Sequence, residues 1–220
     1  DFRVGHEAVV RLYPATRQVA STRDMLGTHA ALGYGVRLGS GIARAIAAST
    51  IEKSTRAATD ATFQLSARLV TPRVGFGRFV YDGLLVNHYE NYLNERLTVG
   101  GDGRLRGYAP QAFIGKDVVA SNLEFRTRPV QIWSVQVGGA AFYDAADAFD
   151  GISDLRLKHA VGVGLRTVFP QAERTVFRAD YGVPVTSSGL VFPGALFIAF
   201  GQAFGMPSIP APSLETEYGD

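Results

Sequence analysis

The chain has 220 residues, enough for one large all-β domain, and its 22 Lys plus Arg against 20 Asp plus Glu leave a formal charge of +2. The basic residues are spread rather than gathered in a stripe, which argues against nucleic acid as a partner, and with no cysteine a disulfide framework and a thiolate metal site are both excluded. Charged residues, Gly or Pro interrupt every apolar run well short of the roughly 18 residues that a spanning helix needs, while 25 glycines and 11% aromatic residues favour a β chain with many turns.

Period-two alternation predicts about ten strands, near 2–13, 29–39, 42–53, 58–70, 77–89, 117–128, 133–145, 158–168, 174–184 and 195–204. The clearest sets Ala30, Leu32, Tyr34, Val36 and Leu38 opposite Ala31, Gly33, Gly35, Arg37 and Gly39. A second sets Ala61, Phe63, Leu65, Ala67 and Leu69 opposite Thr62, Gln64, Ser66 and Arg68. Breakers separate the strands: Pro14 with the polar stretch to Gly27, Ser40-Gly41, Pro72 with Gly75 and Gly77, Pro129, Asp150-Gly151, Pro170, and Ser187 to Gly194. Residues 1–204 form one domain in this reading. The start at Asp1, without Met or an apolar leader, reads as a mature piece or fragment. The tail 205–220, with its prolines, is expected to be disordered.

One segment resists the alternation. Residues 93–116 carry five glycines, Pro110 and two closely spaced arginines between two clear strands, and a loop this long within a β domain is read as functional. Alternation alone does not say whether the apolar face meets lipid or a soluble core. Segments of about ten residues fit a tilted membrane crossing better than the usual soluble strand of about five or six, which tilts the reading towards a membrane barrel.

The order of motifs sharpens it. Gly100-Gly101-Asp102-Gly103-Arg104-Leu105-Arg106-Gly107-Tyr108 resembles the Arg-Gly-Tyr/Phe loop of the BamA and TamA type of outer-membrane assembly barrels, and five strands follow it as in that family. Asn122-Leu123-Glu124-Phe125-Arg126 is similar to the family strand after the loop. Phe142-Tyr143-Asp144-Ala145-Ala146-Asp147 is similar to its Phe-x-Asp-x-Gly strand end, with Ala146 in place of Gly. The segments 162–166, 178–184 and 201–204 resemble the last three strands in their order. The detailed resemblance covers roughly residues 85–204.

The resemblance implies an antiparallel transmembrane β-barrel of which this chain is the carboxy-terminal part, ten strands out of a sixteen-stranded parent, leaving an open, curved sheet with two unpaired edges. It implies location in the bacterial outer membrane, a non-enzymatic role in assembly, insertion or translocation of proteins, and outer-membrane lipid and client proteins as partners. Periplasmic POTRA domains and accessory lipoproteins would join them; no cofactor or metal is called for. By matching positions, Arg106 is the loop cation and Asp144 its wall partner, Gly107 allows the tight turn beside it, and Tyr108 packs on the wall. The strand parity shared by Gln136, Gly138, Ala140, Phe142 and Asp144 turns Asp144 inward, and Glu124 on its own inward parity could share the guanidinium. Arg166, Arg178 and Asp180 read as charges lining the interior, and Gly201 and Phe204 as a terminal-strand signal. Leu196, Ile198, Phe200 and Phe204 form a bulky outward stripe.

Rival readings are weaker. Gly101-x-Gly103-x-x-x-Gly107 has the wrong spacing for a phosphate loop and no helix pattern follows. His6, His29, His88 and His159 share no metal-ligand spacing. Asp144, Asp147 and Asp150 do not match a calcium loop, and solvation of a hairpin end is expected of them instead. A soluble β-barrel binding a small apolar ligand would use the same alternation with its apolar face inward, and a membrane barrel could also serve as a passive pore or as the anchor of a secreted effector.

Overall fold

The computed structural model describes residues 4–19, 21, 24–54, 59–102, 104–169 and 173–201. Its strands are β1 (Gly5–Ala15), β2 (Met25–Leu38), β3 (Gly41–Ser54), β4 (Thr59–Val70), β5 (Gly77–Asn91), β6 (Leu97–Val99), β7 (Phe113–Gly115), β8 (Asp117–Thr127), β9 (Val130–Ile132), β10 (Val135–Phe149), β11 (Lys158–Phe169), β12 (Glu173–Thr186), β13 (Gly189–Leu190) and β14 (Ala195–Phe200). Two short 3-10 turns are the only helical elements among the described residues, and no helix is long and apolar enough to cross a membrane.

Twelve strands make one antiparallel sheet in the order β1-β2-β3-β4-β5-β8-β10-β11-β12, with β13 and β14 both on β12 and β9 on β10; β6 and β7 pair with each other apart from it. Nearest neighbours in sequence are nearest neighbours in space, the meander that short hairpin loops impose on alternating strands. The sheet does not close: among the described residues β1 and β14 each have one edge without a strand partner. Phe204 and the tail 205–220 lie outside the described residues, while Gly201 ends β14 with its N–H donating to Val176 O at 2.6 Å.

The ten expected strands are found with ends shifted by a few residues: β10, for example, runs to Phe149, while β14 is described only as Ala195–Phe200 and 202–204 lie outside the described residues. The first runs through Pro14 to Ala15, so Pro14 is not a breaker. It sits on the outermost strand, opposite Leu26, and an edge strand tolerates proline because half its N–H groups face away from the sheet. The segment 93–116 is not pure loop: three-residue pairing of Leu97–Val99 with Phe113–Gly115 makes a small hairpin inside it.

The polarity of the two faces is inverted relative to a water-soluble sheet. On β2, Leu32 is 66% exposed while Ala31, Gly33 and Gly35 are buried; Leu12, Leu65, Leu123, Tyr143 and Val163 are likewise exposed on their strands. On β14, Leu196 and Ile198 are exposed and Phe200 is 78% exposed. The opposite, inner face buries Arg68, Asp82, Asn122, Glu124, Asp144, Arg178 and Asp180. A ligand-binding soluble barrel would have the reverse arrangement.

Candidate functional site: an arginine loop on a charged wall

The long loop leaves β5 after Asn91 and lies over the inner face. Its apolar residues Val99 and Leu105 are completely buried in a cluster with Val118, Ala120, Ala146, Ala148 and Ala160, against which Leu84, Leu97, Tyr108 and Phe113 pack. The wall beneath the loop is built from alanine and glycine, and that is what leaves room for a second layer of chain. At Gly182 on β12 an added Cβ would stand 2.7 Å from the backbone of both Arg106 and Gly107. Gly107 itself has φ +109°, a left-handed geometry that costs a residue with a side chain, and its own Cβ would meet the backbone of Gly182 and Val183 at about 3.0 Å. The two glycines are reciprocal: each allows the other's backbone to approach.

This close approach delivers Arg106 to Asp144. Nε donates to Oδ2 and Nη2 to Oδ1, both at 2.8 Å, and the backbone N–H of Arg106 adds a third bond to Oδ2 at 3.1 Å. Asn122 Nδ2 donates to Oδ1 at 2.8 Å, so the four acceptor positions of the carboxylate are filled. Arg106 Nη1 donates to Glu124 at 2.9 Å and stands 3.5 Å from Asp180. The Arg106 side chain is 0% exposed, and the Phe142 ring lies 3.5 Å below its guanidinium carbon. Planar stacking and a bidentate fork are both properties of arginine that lysine lacks.

Around this pair the charges alternate. Glu124 also accepts from Arg126 at 2.7 Å and Arg166 at 3.1 Å. Asp180 accepts from Arg166 at 2.6 Å and from Arg178 at 2.8 Å. Two further loop residues anchor to the wall, Asp102 on Arg178 and Arg104 on Asp82, whose other partner is Arg68 at 2.9 Å. The loop is therefore tied by Asp102, Arg104 and Arg106 to β5, β8, β10 and β12 at once. Buried charges need this density of partners, because one left unpaired would be costly.

The structure thus brings together Arg106, Asp144, Glu124, Arg166, Arg178 and Asp180. Tyr108 sits on the wall, its hydroxyl donating to His159 O at 3.3 Å and its ring edge-on to Phe113 at 5.3 Å. Gly201 lies apart, at the end of β14. Sequence reading gave no role to Phe142, Asp102, Arg104 or Asp82. The charges Asp102, Arg104 and Arg106, close together in a glycine-rich segment, were the available signal; their common direction comes from a tight turn bridged by Gly101 and Leu105. Asp144 and Asp147 correct the hairpin-end reading: both are 0% exposed, and Asp147 accepts from Lys158 Nζ and the Arg156 N–H, both at 2.5 Å, while Asp150 is exposed.

The two ends of the loop meet at Asp150. Its carboxylate takes Arg96 through both nitrogens, at 2.7 and 3.1 Å, and accepts from the Lys116 backbone N–H at 2.9 Å. The Lys116 N–H, followed by Arg96, holds the Asp150 carboxyl below its ordinary value of 3.8. Because the folded value is the lower one, the latch contributes fully above the ordinary value and is lost as pH falls through the depressed one. The Lys116 amide proton resonance should therefore titrate with a midpoint below 3.8 and stop titrating there in Asp150→Asn; a midpoint at or above 3.8 would contradict the latch.

Neither a scan against protein-family models nor a search of curated proteins finds a match for this chain.

Proposed function

We propose that the chain is part of the wall of an outer-membrane β-barrel that assists the assembly, insertion or translocation of other proteins at the bacterial outer membrane. The observation that carries this reading is the inverted polarity: an outward face of exposed Leu, Val, Tyr and Phe, and an inward face of buried, mutually neutralised charge. In a bilayer the first is solvated by acyl chains and the second lines the interior. Nine of the ten long strands run 11 to 15 residues, enough to cross the hydrocarbon layer at a tilt.

The role in handling other proteins rests on two features. The resemblance to the BamA and TamA type covers the arginine loop and the five strands after it, and among the described residues β14 has one edge without a strand partner. An unpaired edge offers N–H and C=O groups to another strand, so an incoming chain can be templated there. In this reading the arginine loop keeps β8, β10 and β12 in fixed relation while an edge engages a client. The chain then works mechanically and breaks no bond; POTRA domains and accessory lipoproteins would supply the client.

The test is insertion of a urea-denatured outer-membrane client into vesicles with and without this protein already folded in them. The proposal expects the client to acquire its folded, protease-resistant form faster in loaded vesicles, at least several-fold. Equal rates would leave a passive pore or anchor and overturn the assembly role.

A further inference from the structure

At the end of the sheet opposite the one where the long loop leaves β5 and enters β8, the β4–β5 turn and the segment after β8 line a cavity of about 260 Å³. Its lining carries Arg73, Arg78, Arg126 and Arg128 and no Asp or Glu. Arg78 and Arg126 are directly opposed across β5 and β8, on the inner parity of Asp82 and Glu124. Like charges in that position repel. Arg126 has Glu124, a carboxylate it shares with Arg106 and Arg166; Arg73, Arg78 and Arg128 have no carboxylate partner among the described residues. The site is held in shape by backbone: Val74 and Gly77 exchange hydrogen bonds at 2.9 and 3.2 Å, and the Arg128 N–H donates to Phe76 O at 2.7 Å. A preformed cluster of guanidiniums with too few anions is a site for an oxyanion.

The surroundings say which kind. Phe76 lines the same cavity yet packs edge-to-face on Phe125 at 5.2 Å, and Phe125 meets Phe79 at 5.0 Å on the outward, apolar face. The cavity thus straddles the rim, with arginines on one side and a phenylalanine stripe running down the other. In the turn that follows, Trp133 is 94% exposed with φ 54°, a left-handed backbone that is uncommon for a bulky residue, between exposed Val130 and Ile132 and the start of β10. Exposed tryptophan beside unpaired arginines is the composition of a bilayer's headgroup layer.

We propose that this rim binds an anionic phospholipid, its phosphate held by Arg73, Arg78 and Arg128 and its acyl chains lying along Phe76, Phe79 and Phe125. The assignment rests on the membrane reading above. It gives the turn end of the sheet a fixed depth in the bilayer and a preference for lipids carrying net negative charge.

The test uses the full chain folded in nanodiscs of mixed phosphatidylglycerol and phosphatidylcholine, with retained lipids counted by native mass spectrometry. The wild type should retain phosphatidylglycerol preferentially. Arg78→Gln with Arg128→Gln should lower that preference about tenfold, while Arg37→Gln with Arg156→Gln, an equal loss of charge at exposed positions, should leave it unchanged. A wild type that inserts but shows no preference overturns the lipid site alone, as does an equal loss in both double variants. Complete displacement of the lipid by inorganic phosphate marks a free-anion site, and tighter binding of a polyglutamate peptide marks an acidic polypeptide site; either overturns the proposal. A wild type that never enters nanodiscs overturns the membrane reading itself.

Discussion

Arg106→Met should destabilise the folded wall by about 3–5 kcal/mol, because it leaves Asp144 and Glu124 buried with their central cation removed. Asp144→Asn should come close to the same loss. Its four acceptor positions are filled by donors from Arg106 and Asn122, so an amide NH2 would confront an N–H whichever way it turned. The double variant Arg106→Met/Asp144→Asn should then cost less than the sum of the singles, by a coupling of about 1–3 kcal/mol. Urea unfolding of the three variants from lipid vesicles measures this. Strict additivity would mean that the two side chains do not act as a pair, whatever their distance. The charge-reversed pair Arg106→Asp/Asp144→Arg is a less favourable rescue, since the Arg106 backbone N–H also donates to the Asp144 carboxylate and would face a guanidinium after the swap.

Gly182→Ala should release the loop without touching a charge. One methyl group placed 2.7 Å from the Arg106 and Gly107 backbone cannot be accommodated by a side-chain rotation, so the loop must lift from β12. Overpacking of this kind costs about 1–3 kcal/mol, and lifting the loop would also strain the Arg106 bonds. The expected result is new protease cleavage between residues 92 and 116 with the strands intact. The conservative comparison is Ala160→Gly, which removes a methyl from the same buried floor and should leave the loop protected. An Ala at position 182 that keeps the loop protected would show that β12 can move away, and that the glycine pair does not set the loop's height.

Much of this arrangement is written in the side-chain alternation. Strands such as β2 and β10 are long and carry unlike residues on their two faces, so a single register satisfies the whole length. The inward parity of Asp144, Glu124 and Asp180 followed from the same count. The small hairpin of β6 and β7 did not, because three residues carry too little period to be told from loop. Phe142 was visible as an inward aromatic but its task was not, since stacking under Arg106 depends on a loop that is remote in sequence. Asp147 breaks the alternation argument altogether: the residues from Ala145 to Phe149 are all buried, on both parities of the strand.

The same geometry explains why the arginine loop is so heavily anchored. A layer of chain crossing several strands on one face ties them to one another. Four ion pairs from residues 102, 104 and 106 do this across β5, β8, β10 and β12, with Leu105 buried among them.

If the exposed apolar face meets acyl chains while the arginine loop faces the interior, labels on the two sides of the sheet must report different surroundings. The chain has no cysteine, so single cysteines at Leu32, Leu65, Val163 and Ile198, and inward at Gln136, can each carry one fluorophore. In vesicles containing lipids brominated along their chains, the four outward labels should be strongly quenched and the inward label spared. Refolding as a cooperative monomer in detergent-free buffer, with outward and inward labels equally unquenched when vesicles are added, would contradict that arrangement.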